Sequence, residues 1–344
     1  MRRRIAVILF NLGGPDGPEA VQPFLFNLFN DPAIIGAPMP VRWALAQFIS
    51  RTRAPTAQAN YDLMGGRSPI VPETEAQAAA LEKALAERFA DADVKCFLAM
   101  RYWKPFARDA ANAAAEWGAT EALLLPLYPQ FSSTTTGSSL KDWAKQSRLP
   151  ATTLCCYPTQ DEFAAAHADA IMAAWREANE PANPRVLFSA HGLPQKVIDA
   201  GDPYQWQVEQ TVAAVSAKLP PEWEKRVCYQ SRVGPLKWIG PSTEEEIHAA
   251  GQDQVGVIVS PIAFVSEHVE TLVELDIEYG ERAKREALPF YLRAKALGVR
   301  PRFIAALADM AAASLARSGG ITSDIATRLC PAEFGLCPCR DQQA

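Results

Sequence analysis

Two histidines and a file of glutamates are the residues of this chain whose types and spacing best suit chemistry. His191 closes the run Val186-Leu-Phe-Ser-Ala-His191 and is followed by Gly-Leu-Pro194. His268 lies in Val257-Ile-Val-Ser-Pro-Ile-Ala-Phe-Val-Ser-Glu-His268, which continues Val-Glu270-Thr-Leu-Val-Glu274. Each segment reads as a buried strand that ends in a polar turn and opens a helix. Each histidine is therefore expected at the carboxyl end of a parallel sheet, where open α/β folds bind their ligands. An imidazole facing carboxylates there takes protons or binds a borderline metal, and the carboxylates raise its basicity. For either histidine the plain alternative is a hydrogen-bonded structural residue.

The glutamates carry a second argument. On α-helical spacing Glu267, Glu270, Glu274 and Glu278 share an arc of roughly 80°. A solvated acidic face is the plain alternative. Against it, glutamates at i and i+4 repel, and a solvated helix interleaves lysines there. No Lys or Arg occurs between Gly251 and Arg282. A file of carboxylates without counter-charge suggests a cation. His167 and His248, the remaining two of four histidines, fall in helical patterns and are expected on the surface.

Sulfur forms another constellation. The run Cys330-x6-Cys337-Pro-Cys339 favours metal binding over disulfides in a reducing compartment. A fourth thiolate from Cys155 or Cys156 completes a tetrahedral zinc site or an iron–sulfur cluster, and the spacing does not choose between them. Cys96 and Cys228 sit in strand-like runs as inert core residues. In segment 125–139 the hydroxyls of Ser132-Ser-Thr-Thr-Thr-Gly-Ser-Ser139 either cap a helix or hold an anion at its N-terminus. Segment 23–43 is apolar for a Pro-broken stretch. Part of it is core, and the rest reads as an exposed lip suited to a flat hydrophobic ligand, a membrane surface or a dimer contact.

Positioning these groups falls to alternating strands and helices. Strands are expected over 5–11, 94–101, 122–127, 152–157, 185–190, 226–230 and 255–260. Helices are expected over 19–29, 73–89, 107–117, 138–145, 161–177, 203–218, 244–249, 267–288 and 301–316. Such alternation means α/β architecture, with parallel sheets covered on both faces. The strands fall into two groups, so two doubly wound lobes with a cleft between them are expected: 1–158 with the lip, 159–317 with the acidic helix, and a Cys-containing extension over 318–344. The 344 residues suffice for two domains.

Composition narrows the partners. A net charge of −5 without a basic block excludes a nucleic-acid surface. Leu12-Gly-Gly-Pro-Asp-Gly-Pro18 after the first strand is not G-x-G-x-x-G, and no phosphate-binding G-x-x-x-x-G-K-[ST] occurs, so no dinucleotide or ATP is expected in the cleft. The apolar run before Asn11 is about six residues, short of a signal-peptide core of roughly seven, and nothing approaches the ~20 of a membrane span. A cytoplasmic protein is expected.

The motifs Asn11-Leu-Gly-Gly-Pro15, Gly65-Gly-Arg-Ser-Pro-Ile70, Leu127-Tyr-Pro-Gln-Phe-Ser132, Ser189-Ala-His-Gly-Leu-Pro194, Tyr229-Gln-Ser-Arg-Val-Gly-Pro235 and Pro261-Ile-Ala-Phe-Val-Ser-Glu-His-Val-Glu-Thr-Leu272 together resemble the ferrochelatase family. The resemblance is collinear from about residue 4 to 310. It implies two Rossmann-like lobes of the chelatase fold without nucleotide, gripping a porphyrin, and a lyase that inserts Fe2+ into protoporphyrin IX as the last step of haem synthesis. By motif position His191 matches the family's active-site histidine, a pyrrole base or iron ligand, and Glu270 the acidic residue paired with it. His268 and Glu274 match the carboxylate-lined path. Leu12, Arg101, Tyr102, Phe264 and Trp238 match residues around the macrocycle, and Arg53, Tyr61, Ser68 and Ser231 match groups that hold propionates.

Some members carry a [2Fe–2S] cluster on a C-terminal extension plus one internal cysteine. By that resemblance the ligands are Cys156, Cys330, Cys337 and Cys339, although the spacing departs from the C-x2-C-x4-C pattern of animal enzymes. Leu12 resembles the protoporphyrin-using branch, and the lip suits handling a poorly soluble porphyrin at the inner face of a membrane, or a homodimer contact. The competing readings are a chelatase for another tetrapyrrole or metal, such as cobalt, and a haem or iron carrier with an iron–sulfur tail.

Overall fold

The computed structural model describes residues 2–232, 234–317 and 319–341. The chain divides into two units, Met1–Cys155 with Leu307–Thr322, and Cys156–Ala306 with Ser323–Ala344. The C-terminal extension is therefore not a unit of its own, and the expected boundary at Ser318 lies outside the described residues.

In the first unit the strands are β1 (Arg3–Asn11), β2 (Ala92–Met100), β3 (Glu121–Pro126), β4 (Ala151–Leu154) and, late in the chain, β9 (Gly320–Thr322). They form one parallel sheet in the order β2-β1-β3-β4-β9. The connecting helices are α1 (Val21–Phe29), α2 (Met39–Asp62), α3 (Ile70–Arg88), α4 (Ala107–Trp117) and α5 (Thr136–Gln146). Ile5 to Phe10 of β1 are all buried, as a central strand covered on both faces requires.

The second unit opens with α6 (Asp161–Glu177). Its parallel sheet has the order β6-β5-β7-β8, from β5 (Arg185–His191), β6 (Glu224–Gln230), β7 (Val257–Pro261) and β8 (Tyr291–Arg293). Around it lie α7 (Gln195–Asp199), α8 (Tyr204–Ser216), α9 (Thr243–Gln252), a π-helix over Glu270–Glu278, α10 (Tyr279–Arg285) and α11 (Pro301–Leu315), whose later residues belong to the first unit. Side chains alternate across the sheet with the period of two that a strand dictates. Val186, Phe188, Ala190 and Ile258 enter the core with Ile171 of α6 and Val208 of α8. Leu187, Val257 and Val259 enter the opposite core with Ile247 of α9 and Leu275 of the π-helix.

Five elements depart from the expectation. β8 and β9 have three residues each, too short to show a period. α7 has five. α2 runs for 24 residues where the prolines suggested a broken stretch; Pro40 lies in its first turn, where no intrahelical N–H is lost. The acidic helix is a π-helix with i→i+5 bonds, such as Tyr279 N–H to the Glu274 carbonyl, instead of an α-helix.

His167 corrects another expectation. It is 1% exposed inside α6, its ring edge-on to Phe163 at 4.9 Å. Burial, with help from Arg300, pushes its pKa down to about 3, so it is a neutral core residue. The side chain of His248 is exposed, as expected.

Candidate active site

β5 lies inside its sheet with β6 on one side and β7 on the other, so its carboxyl end is the point where the strand order reverses. His191 is the last residue of β5 and pairs in register with Gln230 of β6. Gly192 follows because a Cβ there would stand 2.9 Å from the Gln230 carbonyl, which accepts the Gly192 N–H. This backbone contact fixes where the His191 ring starts. Tyr204 of α8 adds a hydrogen bond from its hydroxyl to the His191 carbonyl.

The His191 ring meets Glu270 at the first turn of the π-helix, with Nδ1 2.9 Å from Oε2. His268 approaches the same oxygen with Nε2 at 3.8 Å, and its buried Nδ1 has no partner among the described residues. Burial opposes charge on Glu270, but the two imidazoles win and hold its carboxyl well below the usual range. Burial likewise opposes charge on His191, and Glu270, backed by Glu274, raises its pKa. With an ionised carboxylate on Nδ1, the neutral ring keeps its proton there and leaves the Nε2 lone pair open. Nε2 has no partner among the described residues.

Glu274 completes the group. It accepts from the Ser231 N–H (2.8 Å) and hydroxyl (2.5 Å), the Gln230 amide (3.0 Å) and the Tyr279 hydroxyl (3.0 Å). Burial and the Glu270 charge still raise its pKa. Ser231, expected at a propionate, thus stands against Glu274, in a left-handed backbone conformation at φ 64°. Phe264 packs its ring 4.6 Å from that of His268. Trp238 pairs its backbone with Pro194 just beyond His191, and its indole N–H is buried without a partner among the described residues.

The file of four unpaired carboxylates is corrected. Glu267 is bound by Arg293 of β8 at 2.9 and 3.0 Å, which holds its carboxyl low against burial. Glu278 is exposed. Only Glu270 and Glu274 face the histidine site. Arg293 escaped the sequence argument because it lies beyond the helix, on a three-residue strand. Tyr204, Gln230 and Tyr279 were missed too; each acts through a fold contact and leaves no mark in spacing.

In the first unit the remaining residues gather at the carboxyl edge of the sheet. Arg101 and Tyr102 follow β2, and their N–H groups bond the carbonyls of Asn11 and Leu12. Ser68 joins them: its N–H bonds Pro15, and only a glycine fits at position 14, where a Cβ would stand 2.5 Å from the serine side chain. Tyr61 is buried near the end of α2, and Arg53 is exposed two turns earlier with its guanidinium over Phe29. Arg101 and Tyr102 are committed to Asp31, a residue that the sequence did not single out. Arg101 Nη2 lies 2.8 Å from Asp31 Oδ2, the Tyr102 hydroxyl donates to that oxygen at 2.9 Å, and Tyr102 is 2% exposed.

The hydroxyl-rich turn serves this corner. Thr135 makes no side-chain cap of α5. Ser138 instead accepts from Arg101 Nε at 2.7 Å and donates to Asp31 Oδ2 at 2.5 Å, so the anion at this helix start is the protein's own carboxylate. An open cavity of about 460 Å³ adjoins it, lined by Asn27, Asp31, Arg101 and Asp142 among others. The apolar lip is present: Phe24 and Leu25 are core, while Ile34, Met39, Val41, Trp43, Leu45 and Phe48 are exposed. No helix among the described residues is long and apolar enough to cross a membrane.

The four tail-associated thiols fall in the second unit. All are buried and none is in a disulfide. The amide of Gln207 on α8 donates to Cys156 Sγ at 3.4 Å and Cys330 Sγ at 3.1 Å. Cys337 hydrogen-bonds Cys330 and Cys339, which hold its thiol well below the usual range. Cys155 belongs to the first unit, its N–H bonded to Thr322. Among the described residues no three His, Cys, Asp or Glu side chains are spaced to hold a metal ion. What the second unit does bring together is four sulfurs, two of which share the Gln207 amide.

The family model for ferrochelatase matches residues 4–315. A ferrochelatase of Phenylobacterium zucineum is 57% identical over 98% of both chains. Among solved structures, SirB from Bacillus subtilis with Fe3+ is similar with a TM-score of 0.51 at 12% identity, covering 92% of this chain and 96% of that one. A sirohydrochlorin chelatase SirB from Bacillus subtilis subspecies spizizenii, in complex with cobalt, gives 0.50 at 10% identity over 91% and 95%. The fold is that of the chelatases.

Proposed function

The chain belongs to the ferrochelatase family, lyases that insert iron into porphyrin in haem synthesis, and on that premise we propose that it metallates protoporphyrin IX with His191 as the pyrrole base. The observation that carries this reading is the His191–Glu270 pair, an imidazole with one nitrogen held by a carboxylate at 2.9 Å and the other open. Free-base porphyrin must lose two N–H protons as its lone pairs take the metal. The first moves from a pyrrole nitrogen to His191 Nε2, and Glu270 stabilises the resulting imidazolium. The second leaves by way of Glu274, whose raised pKa suits its carboxylate to take a proton. The alternative role of His191 is iron ligand: its Nε2 lone pair and a Glu270 oxygen are donors that Fe2+ accepts, and one lone pair serves the proton or the metal, not both at once.

Leu12, Arg101, Tyr102, Trp238 and Phe264 are assigned to the macrocycle's surroundings and Arg53, Tyr61, Ser68 and Ser231 to its propionates by motif, with Leu12, Ser68, Arg101 and Tyr102 also sharing one sheet edge. The exposed lip, running on to Phe48, suits porphyrin transfer at a membrane surface, with a second copy of the chain as the other occupant of that face. Anaerobic absorbance with protoporphyrin IX and Fe2+ tests the substrate: metallation is expected, and metallation of sirohydrochlorin alone overturns it.

A [2Fe–2S] cluster on Cys156, Cys330, Cys337 and Cys339 is the second part of the proposal. Such a group, when bound, supplies one-electron chemistry and a covalent tie between the tail and the body. The donor set and the shared Gln207 amide support it. Protein purified without air should show charge-transfer bands in the visible; a colourless protein with stoichiometric zinc overturns the assignment.

A further inference from the structure

We propose that Asp31 is a positioning residue that ties the start of the apolar lip to the Arg101–Tyr102 corner, so that lip and corner hold one arrangement together. The two oxygens of its carboxylate divide the work. Oδ1 accepts the Ala33 N–H at 2.8 Å, an Asx turn that starts the lip. The Asp31 carbonyl accepts the next two amides, Ile34 at 3.0 Å and Ile35 at 2.9 Å. Oδ2 receives Arg101, Tyr102 and Ser138 at once.

The surroundings make this tie stiff. Asp31 is buried, and its guanidinium partner is only one-fifth exposed, so neither charge is free to turn to water. Asn27 of α1 braces the same corner with an amide donated to the Tyr102 carbonyl at 3.0 Å. Arg42 of α2 closes the other end of the turn, donating to the carbonyls of Asn30 and Ala37 at 2.9 and 2.7 Å. Between these braces stand the exposed apolar side chains Ile34, Met39 and Val41, and Trp43 follows directly. A lip that must present apolar groups to water gains no burial to fix its path. It is fixed by polar contacts at its root, and Asp31 supplies most of them.

The inference rests on the proposed place of Arg101 beside the porphyrin for its kinetic arm only. Asp31→Asn keeps the size but leaves one acceptor oxygen where two are used. Three donors compete for that oxygen, so the amide nitrogen faces the Ala33 N–H and the turn opens. Hydrogen exchange at Ala33, Ile34 and Ile35 should speed up about tenfold, the loss of roughly one hydrogen bond. With Arg101 held by a neutral acceptor, KM for protoporphyrin should rise about tenfold with kcat within about threefold, the pattern of lost binding and not lost chemistry.

Unchanged exchange overturns the tie, and a fall in kcat at constant KM overturns the positioning role. Arg101→Gln separates the two readings. If it leaves KM unchanged, the porphyrin assignment of Arg101 fails, and exchange in Asp31→Asn alone then decides the tie. Should Asp31→Asn not fold, Ser138→Ala removes one contact to Oδ2 and spares the Oδ1 turn. It should raise KM with exchange at Ala33 unaltered, and faster exchange there or an unmoved KM overturns the division of labour.

Discussion

The two units each bury a carboxylate at the carboxyl edge of a parallel sheet, and they give it opposite partners. Asp31 meets a guanidinium and two hydroxyls, none of which changes charge near neutral pH. Glu270 meets two imidazoles, one held at 2.9 Å and the other at 3.8 Å. A fixed cation makes a structural clamp, because its pair has one protonation state. A titratable cation makes a proton site, because the carboxylate can hold the ring in either state and lower the cost of switching. The same contrast recurs inside the second unit, where Arg293 clamps Glu267 three residues before Glu270. What distinguishes chemistry from scaffold here is the partner, not the acid.

Replacing the titratable partner is the harshest break. His191→Ala should lower kcat for porphyrin metallation by about 10²- to 10⁴-fold, the usual worth of a positioned base, with the circular dichroism and unfolding midpoint retained. A variant that turns over normally removes the contrast, since the imidazole would then be structural as well.

Replacing a fixed partner should cost stability instead. Arg293→Met leaves Glu267 and Asp276 without their cation and should destabilise the fold by about 3 kcal/mol at neutral pH. The sign with pH follows from Glu267, whose carboxyl is held low by Arg293 despite burial. A lowered carboxyl stabilises above its unfolded value of about 4.3 and loses that contribution as pH falls through the folded one. The wild-type advantage over Arg293→Met in denaturant unfolding should therefore hold from neutral pH down to the unfolded value of about 4.3 and shrink below it. A deficit independent of pH contradicts the clamp.

Glu274→Gln is the finest test. It leaves the His191–Glu270 pair in place and removes the next carboxyl, whose ring of Ser231, Gln230 and Tyr279 donors the amide satisfies only in part. About a tenfold loss of kcat is expected, much smaller than for His191→Ala. A loss equal to that of His191→Ala would move the base from the histidine to the acid.

Most of the scaffold was legible. The seven long strands, the parallel sheets and the placement of His191 at a strand end follow from apolar runs broken by turn residues, a local signal. The helices over 107–117 and 161–177 match their expected ends to the residue, since each has a clear amphipathic or capped boundary. β8 and β9 were invisible because three residues carry no period, and their pairing depends on strands more than 30 residues away. The π-helix was read as α-helical because both put glutamates at i and i+4 near one face.

By itself the sequence determined that histidine and carboxylates stand at sheet edges, that cysteines gather near the C-terminus, and that an apolar stretch follows the first helix. These are matters of residue type and short-range spacing. Only the tertiary structure decided which partner each charge received. Arg293 neutralises Glu267 across 26 residues, and Asp31 secures Arg101 across 70. Each pairing depends on strand order and side-chain direction at once, and a one-residue change of register reverses the direction. Charge becomes clamp or catalyst at that level, since a carboxylate's behaviour is set by what the fold brings within about 3 Å of it.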